Sequence, residues 1–130
     1  MGVSILVVDD EQDVAGLFKR RFRSEIKAGT YAVHFAFSGD EALKMLKQEI
    51  EPELMLILSD INMPGMSGLE LLTRVKKHLP HLPVVMITAY GDEDSRHRAH
   101  SLGAAEFLTK PIDFDALRKI ISTLTSTGKG

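Results

Sequence analysis

Residues 54–68 read LMLILSDINMPGMSG, and they establish the architecture of the chain. The stretch begins with an apolar run, Leu54 to Leu58, in which apolar and polar residues do not alternate. Such a run is typical of a central strand that helices cover on both faces. Packing does not explain Asp60 at its end, because an unpaired charge there carries a desolvation cost. Asp60 is therefore the first candidate functional residue.

Three further apolar runs also end on polar residues. These are Asp9 and Asp10 after Ile5 to Val8, Thr88 after Val84 to Ile87, and Lys110 after Phe107 to Thr109. The carboxyl ends of parallel strands share one edge of a sheet, so these side chains are expected to converge with Asp60. Three carboxylates, a hydroxyl and an ammonium group outline a site for phosphoryl transfer.

Helical patterns separate the apolar runs. Strand and helix alternate five times, which is typical of a parallel α/β sheet. A more exposed edge strand is expected at Tyr31 to Phe37, and capping boxes that begin at Ser38 and Ser67 start two of the helices. The sequence predicts one α/β domain of five βα units over residues 1–124, with a flexible tail or the start of a linker at 125–130.

Two of the predicted helices differ in their apolar residues. The first has a stripe at spacings of three and four: Val14, Leu17, Phe18, Phe22 and Ile26. The segment from Asp92 to Leu102 has only Ala99 and Leu102 as clear core candidates. We expect that segment to be the least firmly anchored of the five helices.

Composition limits the classes of function. The 130 residues suffice for one domain, and a net charge of −2 gives no bulk attraction to nucleic acid or anionic membranes. The absence of cysteine excludes disulfides, thiolate metal sites and thiol nucleophiles. Apolar stretches fall short of the roughly 20 residues that a spanning helix needs. A cytoplasmic protein without a direct nucleic-acid or membrane partner is expected.

Several polar residues also have simpler explanations. Asp10 could cap the first helix with Asp9 solvated, and Thr88 alone could be an ordinary β-branched strand residue. Their convergence with Asp60 favours a site for Mg²⁺, the hard cation that carboxylate oxygens suit. Solvent exposure explains two other groups better than metal or nucleic-acid binding: the pair His97 and His100, and the cluster Lys19, Arg20, Arg21 and Arg23.

Taken together, the polar strand ends resemble a known family. The motifs are Asp9-Asp10, the run from Asp60 to Gly68, Thr88-Ala89 and Lys110-Pro111. In this order and spacing they resemble a response-regulator receiver domain of two-component signalling, similar to the chemotaxis regulators, over essentially the whole chain. The resemblance implies a flavodoxin-like sheet of order 2-1-3-4-5 with helices on both faces and a site between strands 1 and 3.

The resemblance also implies the roles of the site residues. Asp60 is the expected phosphoacceptor, and a sensor histidine kinase or histidine phosphotransfer protein is the expected donor. Mg²⁺, with Mn²⁺ as an expected substitute, would be held by Asp9, Asp10, Asp60 and the backbone carbonyl of Asn62. Lys110 would pair with the phosphoryl group.

Further residues would transmit the signal. By resemblance, Thr88 would move to hydrogen-bond a phosphoryl oxygen, and Phe107 would be the aromatic switch residue that turns inward behind it. The fourth helix, fifth strand and fifth helix would form the surface that switches for partner binding. Asn62 and Tyr90 would modulate the lifetime of the phosphate, and a cis peptide bond is expected between Lys110 and Pro111.

Two other classes compete with a signalling switch. Haloacid-dehalogenase-like phosphatases place a second acid two residues after the nucleophile, but Asn62 occupies that position and an amide cannot transfer the proton. Flavin binding is disfavoured because the first strand ends in acids. The anionic phosphate of a flavin nucleotide needs backbone hydrogen-bond donors and few carboxylates at that position. We therefore expect a switch rather than an enzyme, although one that catalyses its own phosphorylation from small acyl phosphates and its own dephosphorylation. The cognate kinase, the effector and dimerisation on phosphorylation are left open, as is whether the chain stands alone.

Overall fold

A computed structural model of the protein describes residues 2–48, 53–89 and 91–125. Its strands are β1 Val3–Val8, β2 Tyr31–Ala36, β3 Leu54–Asp60, β4 Val84–Thr88 and β5 Glu106–Thr109. Its helices are α1 Gln12–Arg21, α2 Arg23–Lys27, α3 Gly39–Leu46, α4 Gly68–His78, α5 Glu93–Ser101 and α6 Phe114–Thr125. The alternation of strand and helix is as predicted, apart from a division of the first helix.

The strands form one parallel sheet of order β2-β1-β3-β4-β5, which confirms the predicted topology. In a doubly wound sheet the order reverses between β1 and β3, and a crevice opens there at the carboxyl ends of the strands. The register pairs Val8 with Ser59, so the next residues along each strand, Asp9 and Asp60, lie beside each other. The topology therefore places two of the predicted site residues at the mouth of the crevice.

Helices cover both faces of the sheet, as predicted. On one face, Leu56 and Leu58 of β3 pack in a cluster with α1 and α6 that includes Phe18 and Phe114. On the other face, Ile57 packs in a cluster with α3, α4 and α5. These β3 residues are completely buried because helices cover the strand on both sides. This explains why apolar and polar residues do not alternate along it.

The prediction of one continuous first helix is wrong. The helix divides at Phe22, whose φ of −104° and ψ of 18° depart from helical values. The Phe22 ring is completely buried and makes edge-to-face contacts with Phe18, Tyr31 and Phe114 at centroid distances of 5.0 to 5.7 Å. The break lies where this ring enters the aromatic cluster, and Ile26 beyond it is 37% exposed. The predicted fourth and fifth helices are consequently α5 and α6.

The caps at the helix starts and the weak burial of α5 are as the sequence predicts. The Ser38 and Ser67 hydroxyls accept hydrogen bonds from the backbone N–H groups of Glu41 and Glu70, at 3.0 and 3.2 Å, which confirms both serines as helix caps. The glutamate side chains have other partners than a capping box requires: Glu41 accepts from the N–H of Phe37, and Glu70 pairs with Arg74. The α5 helix buries only Ala99, fewer residues than any other predicted helix, and is thus the least anchored of them as expected. Tyr90 and residues 126–130 lie outside the described residues, and no described helix is long and apolar enough to span a membrane.

Candidate phosphoryl-transfer site

The predicted site residues lie together at the carboxyl edge of the sheet. Asp60 is the last residue of β3 and Thr88 the last of β4, while Asp9 and Lys110 directly follow β1 and β5. The amino-acid sequence determines this meeting point because each apolar run ends where its strand leaves the core. The residues come from four strands and are far apart in the chain.

Three carboxylates meet in the crevice. Asp9, Asp10 and Asp60 each offer an oxygen, and these oxygens lie within 4.8 Å of one another. Asp9 and Asp60 are buried, at 6% and 7% exposure. Within the ranges that the structure covers, this is the only such group of three potential metal ligands, and His97 and His100 take part in none. An all-oxygen donor set fits a hard divalent cation such as Mg²⁺.

Lys110 supplies the positive charge in this acidic site. Its Nζ lies 3.1 Å from Asp9 Oδ2, 3.6 Å from Glu11 Oε1 and 3.7 Å from Asp60 Oδ2. Burial acts to lower the pKa of Lys110, but the hydrogen bond to Asp9 and the charges of the three acids raise it above its usual value. The ammonium group therefore stays charged. Its peptide bond to Pro111 is cis, as expected.

Sequence reasoning missed Glu11. This residue precedes α1, and its side chain is 66% exposed at the rim of the site. The available signal was its position directly after Asp9 and Asp10, which makes it the third acid in a row. Glu11 shares Lys110 with the two buried aspartates, so the lysine has more than one partner in the structure.

The Asp60 carboxyl group is not in an ordinary environment. Burial and then the charge of Asp9 raise its pKa from 3.8 to about 6, although Lys110 and backbone hydrogen bonds from Asn62 and Ile61 act to lower it. The positive charge of Lys110 alone thus does not offset the effects of burial and of the Asp9 charge on Asp60. A further cation in the crevice would favour the ionised form of Asp60, which is the form needed for nucleophilic attack.

The raised pKa predicts a pH-dependent cost in stability. A proton on Asp60 stabilises the folded protein fully below pH 3.8, and this contribution is lost as the pH rises through about 6. Asp60→Asn mimics the protonated acid, so in a metal chelator it should raise the free energy of unfolding by about 2 to 3 kcal/mol above pH 7, and by about half as much at pH 5. Urea unfolding at both pH values measures this difference. An equal gain at both would contradict the assigned titration.

Thr88 and Asn62 are joined by a side-chain contact. Thr88 is completely buried, and its Oγ1 accepts a hydrogen bond from Asn62 Nδ2 at 3.1 Å. The backbone N–H of Asn62 also acts to lower the pKa of the Asp60 carboxyl group. Only the backbone carbonyl and the modulating role of Asn62 were anticipated, because a hydrogen bond across 26 residues has no signal in a single sequence. One exposed loop residue thereby bridges the buried aspartate and the buried threonine.

Phe107 lies on the face of β5 that adjoins α5. It is half-buried against the core of that face, and Arg96 of α5 stacks over its ring with Cζ 4.7 Å from the centroid. This cation–π contact connects the predicted switch residue to the least anchored predicted helix. Tyr90, predicted to modulate the site, is outside the described residues.

The loop after Asp60 returns directly to the strand that it leaves. The N–H of Gly68 donates to the carbonyl of Ile61 at 2.7 Å, which brings the start of α4 against the end of β3. A Cβ atom at Gly68 would lie 1.9 Å from the backbone oxygen of Asp60. Only glycine permits this close approach, and it fixes the wall of the site beside the phosphoacceptor candidate.

The doubly wound α/β sheet has a buried aspartate, two more acids and a lysine at its switch point. This combination is typical of a domain that accepts a phosphoryl group. Residues 5–122 match the family described as the response regulator receiver domain. The chain belongs to this family, whose members are the phosphoacceptor domains of two-component systems.

Individual relatives agree with the family assignment. The chain is 37% identical over 117 residues to the transcriptional regulatory protein GlrR of Escherichia coli strain K12, which covers 90% of this chain and 25% of GlrR. A receiver domain from Clostridium thermocellum superimposes with a TM-score of 0.84 at 30% identity, covering 95% of this chain and 94% of the other. The response regulator TrrA of Thermotoga maritima, in complex with Mg²⁺–BeF, superimposes with a TM-score of 0.78 at 32% identity, covering 94% and 98%.

The chain spans about a quarter of the length of the curated relatives that it matches. The similarity therefore assigns the class of this domain, and the activities of those longer relatives are not carried over to it. The comparisons give no support to the haloacid-dehalogenase-like alternative. The phosphoacceptor class is thus established for the domain itself.

Proposed function

We propose that Asp60 accepts a phosphoryl group in a magnesium-dependent transfer from a sensor histidine kinase or histidine phosphotransfer protein. The carrying observation is the meeting of the buried Asp60 with Asp9, Asp10 and Lys110 at one strand edge. One Asp60 oxygen attacks phosphorus, a P–O bond forms, and the P–N bond to the donor histidine breaks. Lys110, already 3.7 Å from Asp60, pairs with the transferred group.

The donor set proposed for Mg²⁺ consists of Asp9, Asp10, Asp60 and the backbone carbonyl of Asn62. Mg²⁺, or Mn²⁺ in its place, would neutralise charge on the transferring oxygens. The three carboxylates are already gathered and Asp60 has a raised pKa, so a bound cation relieves an existing repulsion. The protein's own contribution is to hold these oxygens in place before the donor arrives.

The lack of an acid two residues after Asp60 favours a phosphoaspartate that persists. Asn62 occupies the position where a phosphatase would carry its acid/base residue, and its amide cannot take that proton. The domain thus acts as a switch that promotes its own phosphorylation from small acyl phosphates and its own slower dephosphorylation. A retained charge of about −1.5 to −2 is sufficient to reorganise nearby loops.

The proposed output surface consists of α5, β5 and α6. Thr88 turns toward the phosphoryl group, Phe107 turns inward, and the stacked Arg96 transmits the change to α5. Since α5 buries only Ala99, little packing opposes its displacement. The matched relatives are transcriptional regulators, so we propose an effector of that kind in contact with this surface and leave dimerisation on phosphorylation open.

Intact mass spectrometry tests the proposed reaction. The protein is incubated with magnesium and a small acyl phosphate, and the mass is followed over time. A single phosphate adduct that persists after removal of the phosphodonor is the expected result, and chelation of the metal should prevent its formation. Rapid turnover of the acyl phosphate with no adduct would instead indicate a phosphatase.

Lys110→Ala should separate metal binding from signal transmission. The carboxylates remain, so Mg²⁺ should still bind, but the phosphoryl group loses its cationic partner and its coupling to α5 weakens. Hydrogen exchange of α5 with and without phosphodonor measures this coupling, and Lys119→Ala at an exposed position of α6 is the matched control. A phosphorylation-dependent exchange change as large as in the unaltered protein would contradict the role of Lys110.

A further inference from the structure

Asn62 interacts with both the proposed phosphoacceptor, Asp60, and the proposed switch residue, Thr88. Its backbone N–H acts to lower the pKa of the Asp60 carboxyl group, and its side-chain amide donates to Thr88 Oγ1 at 3.1 Å. The residue itself is exposed, whereas Thr88 is completely buried at the end of β4. The contact is therefore one that an exposed loop makes with a buried hydroxyl.

In the hydrogen bond between these two side chains, Asn62 is the donor and Thr88 is the acceptor. The Asn62 amide nitrogen can only donate, so the Thr88 oxygen is the acceptor. The backbone of Thr88 is fixed at the same time, because its carbonyl accepts from the N–H of Lys110 at 2.8 Å. In the proposed function Thr88 reorients toward a phosphoryl oxygen, and with this backbone contact kept the reorientation is a rotation of the side chain. Such a rotation would break the hydrogen bond between Oγ1 and the Asn62 amide.

We propose that the side-chain amide of Asn62 is a positioning group that holds Thr88 in its resting orientation and so opposes activation until Asp60 is phosphorylated. This inference rests on the proposed function and adds a regulatory role to the same site. Asn62 stabilises the resting orientation by one neutral hydrogen bond, and a phosphoryl group must supply enough binding energy to break it. Loss of the amide removes this hydrogen bond from the resting orientation of Thr88.

Beryllofluoride binding provides the test, because this phosphoryl mimic needs no chemical step. Asn62→Leu keeps a similar shape without the amide, and Asn62→Ala is a second variant without a donor. In saturating magnesium, both should bind beryllofluoride about threefold more tightly than the unaltered protein in a ¹⁹F NMR titration, since one net hydrogen bond no longer favours the resting state.

A double-substitution cycle distinguishes this role from a merely structural one. In a Thr88→Val background there is no hydroxyl to hold, so Asn62→Leu should leave beryllofluoride affinity unaltered. Unchanged or weaker binding by Asn62→Leu and Asn62→Ala in the otherwise unaltered protein would overturn the inference, as would a gain that persists with Thr88→Val. Failure of the unaltered protein to bind beryllofluoride would instead count against the proposed function, so the two failures are distinguishable.

Discussion

Asp60→Asn is expected to abolish phosphorylation of the protein by a small acyl phosphate. An amide oxygen is a poor nucleophile and cannot form the mixed anhydride with phosphate, and the proposed role of the neighbouring Asp9 and Asp10 is to hold a cation. The phosphate adduct seen by intact mass should fall below detection, a loss of at least about a hundredfold given the usual weight of a covalent nucleophile.

The matched control is Asp13→Asn, which makes the same chemical change at an exposed position in the first turn of α1. This variant should form the adduct at an unaltered rate. Phosphorylation of Asp60→Asn at the rate of the unaltered protein would assign the phosphate to another residue. Unfolding curves measured in parallel separate loss of the nucleophile from loss of the fold.

Gly68→Ala is expected to cause a large loss of stability. The new Cβ would lie 1.9 Å from the Asp60 carbonyl oxygen and 2.8 Å from its carbon, and neither backbone atom can move aside without opening the joint between β3 and α4. We expect the free energy of unfolding to fall by about 3 kcal/mol, at the upper end of the range for overpacking. The displaced Asp60 should also be phosphorylated more slowly.

Gly16→Ala is the control for the added methyl group. Gly16 lies within α1, and its Cβ would meet only the end of the flexible Arg20 side chain, at 3.6 Å. Alanine is the better helix former, so this variant should gain about 0.5 to 1 kcal/mol. Urea unfolding measures both variants, and a neutral Gly68→Ala would show that the loop after Asp60 is not closely packed.

The topology and the positions of the site residues could be predicted from the sequence. The reason is that both depend on short-range patterns: apolar runs of strand length, capping residues, and polar residues where a run stops. In β3 the uniform apolarity of Leu56 to Leu58 corresponds to burial on both faces. The parallel arrangement then brings Asp9, Asp60 and Lys110 together without any further information.

Other features depend on packing between distant segments. The division of the first helix accompanies the insertion of Phe22 among Phe18, Tyr31 and Phe114, and helical spacing alone contains no sign of it. The Asn62 contact with Thr88 and the Arg96 contact with Phe107 likewise join residues far apart in the chain. A single sequence shows which side chains are present at such sites but not which partner each of them selects.

Phosphoryl chemistry at Asp60 should change the surface formed by α5, β5 and α6. Amide hydrogen exchange of the protein with magnesium, measured with and without beryllofluoride, detects such a change. We predict altered exchange in α5 and β5, with little change in the amides of β1, which lies in the interior of the sheet. Saturating beryllofluoride that leaves the exchange of Glu93–Ser101 and Glu106–Thr109 unaltered would contradict this prediction.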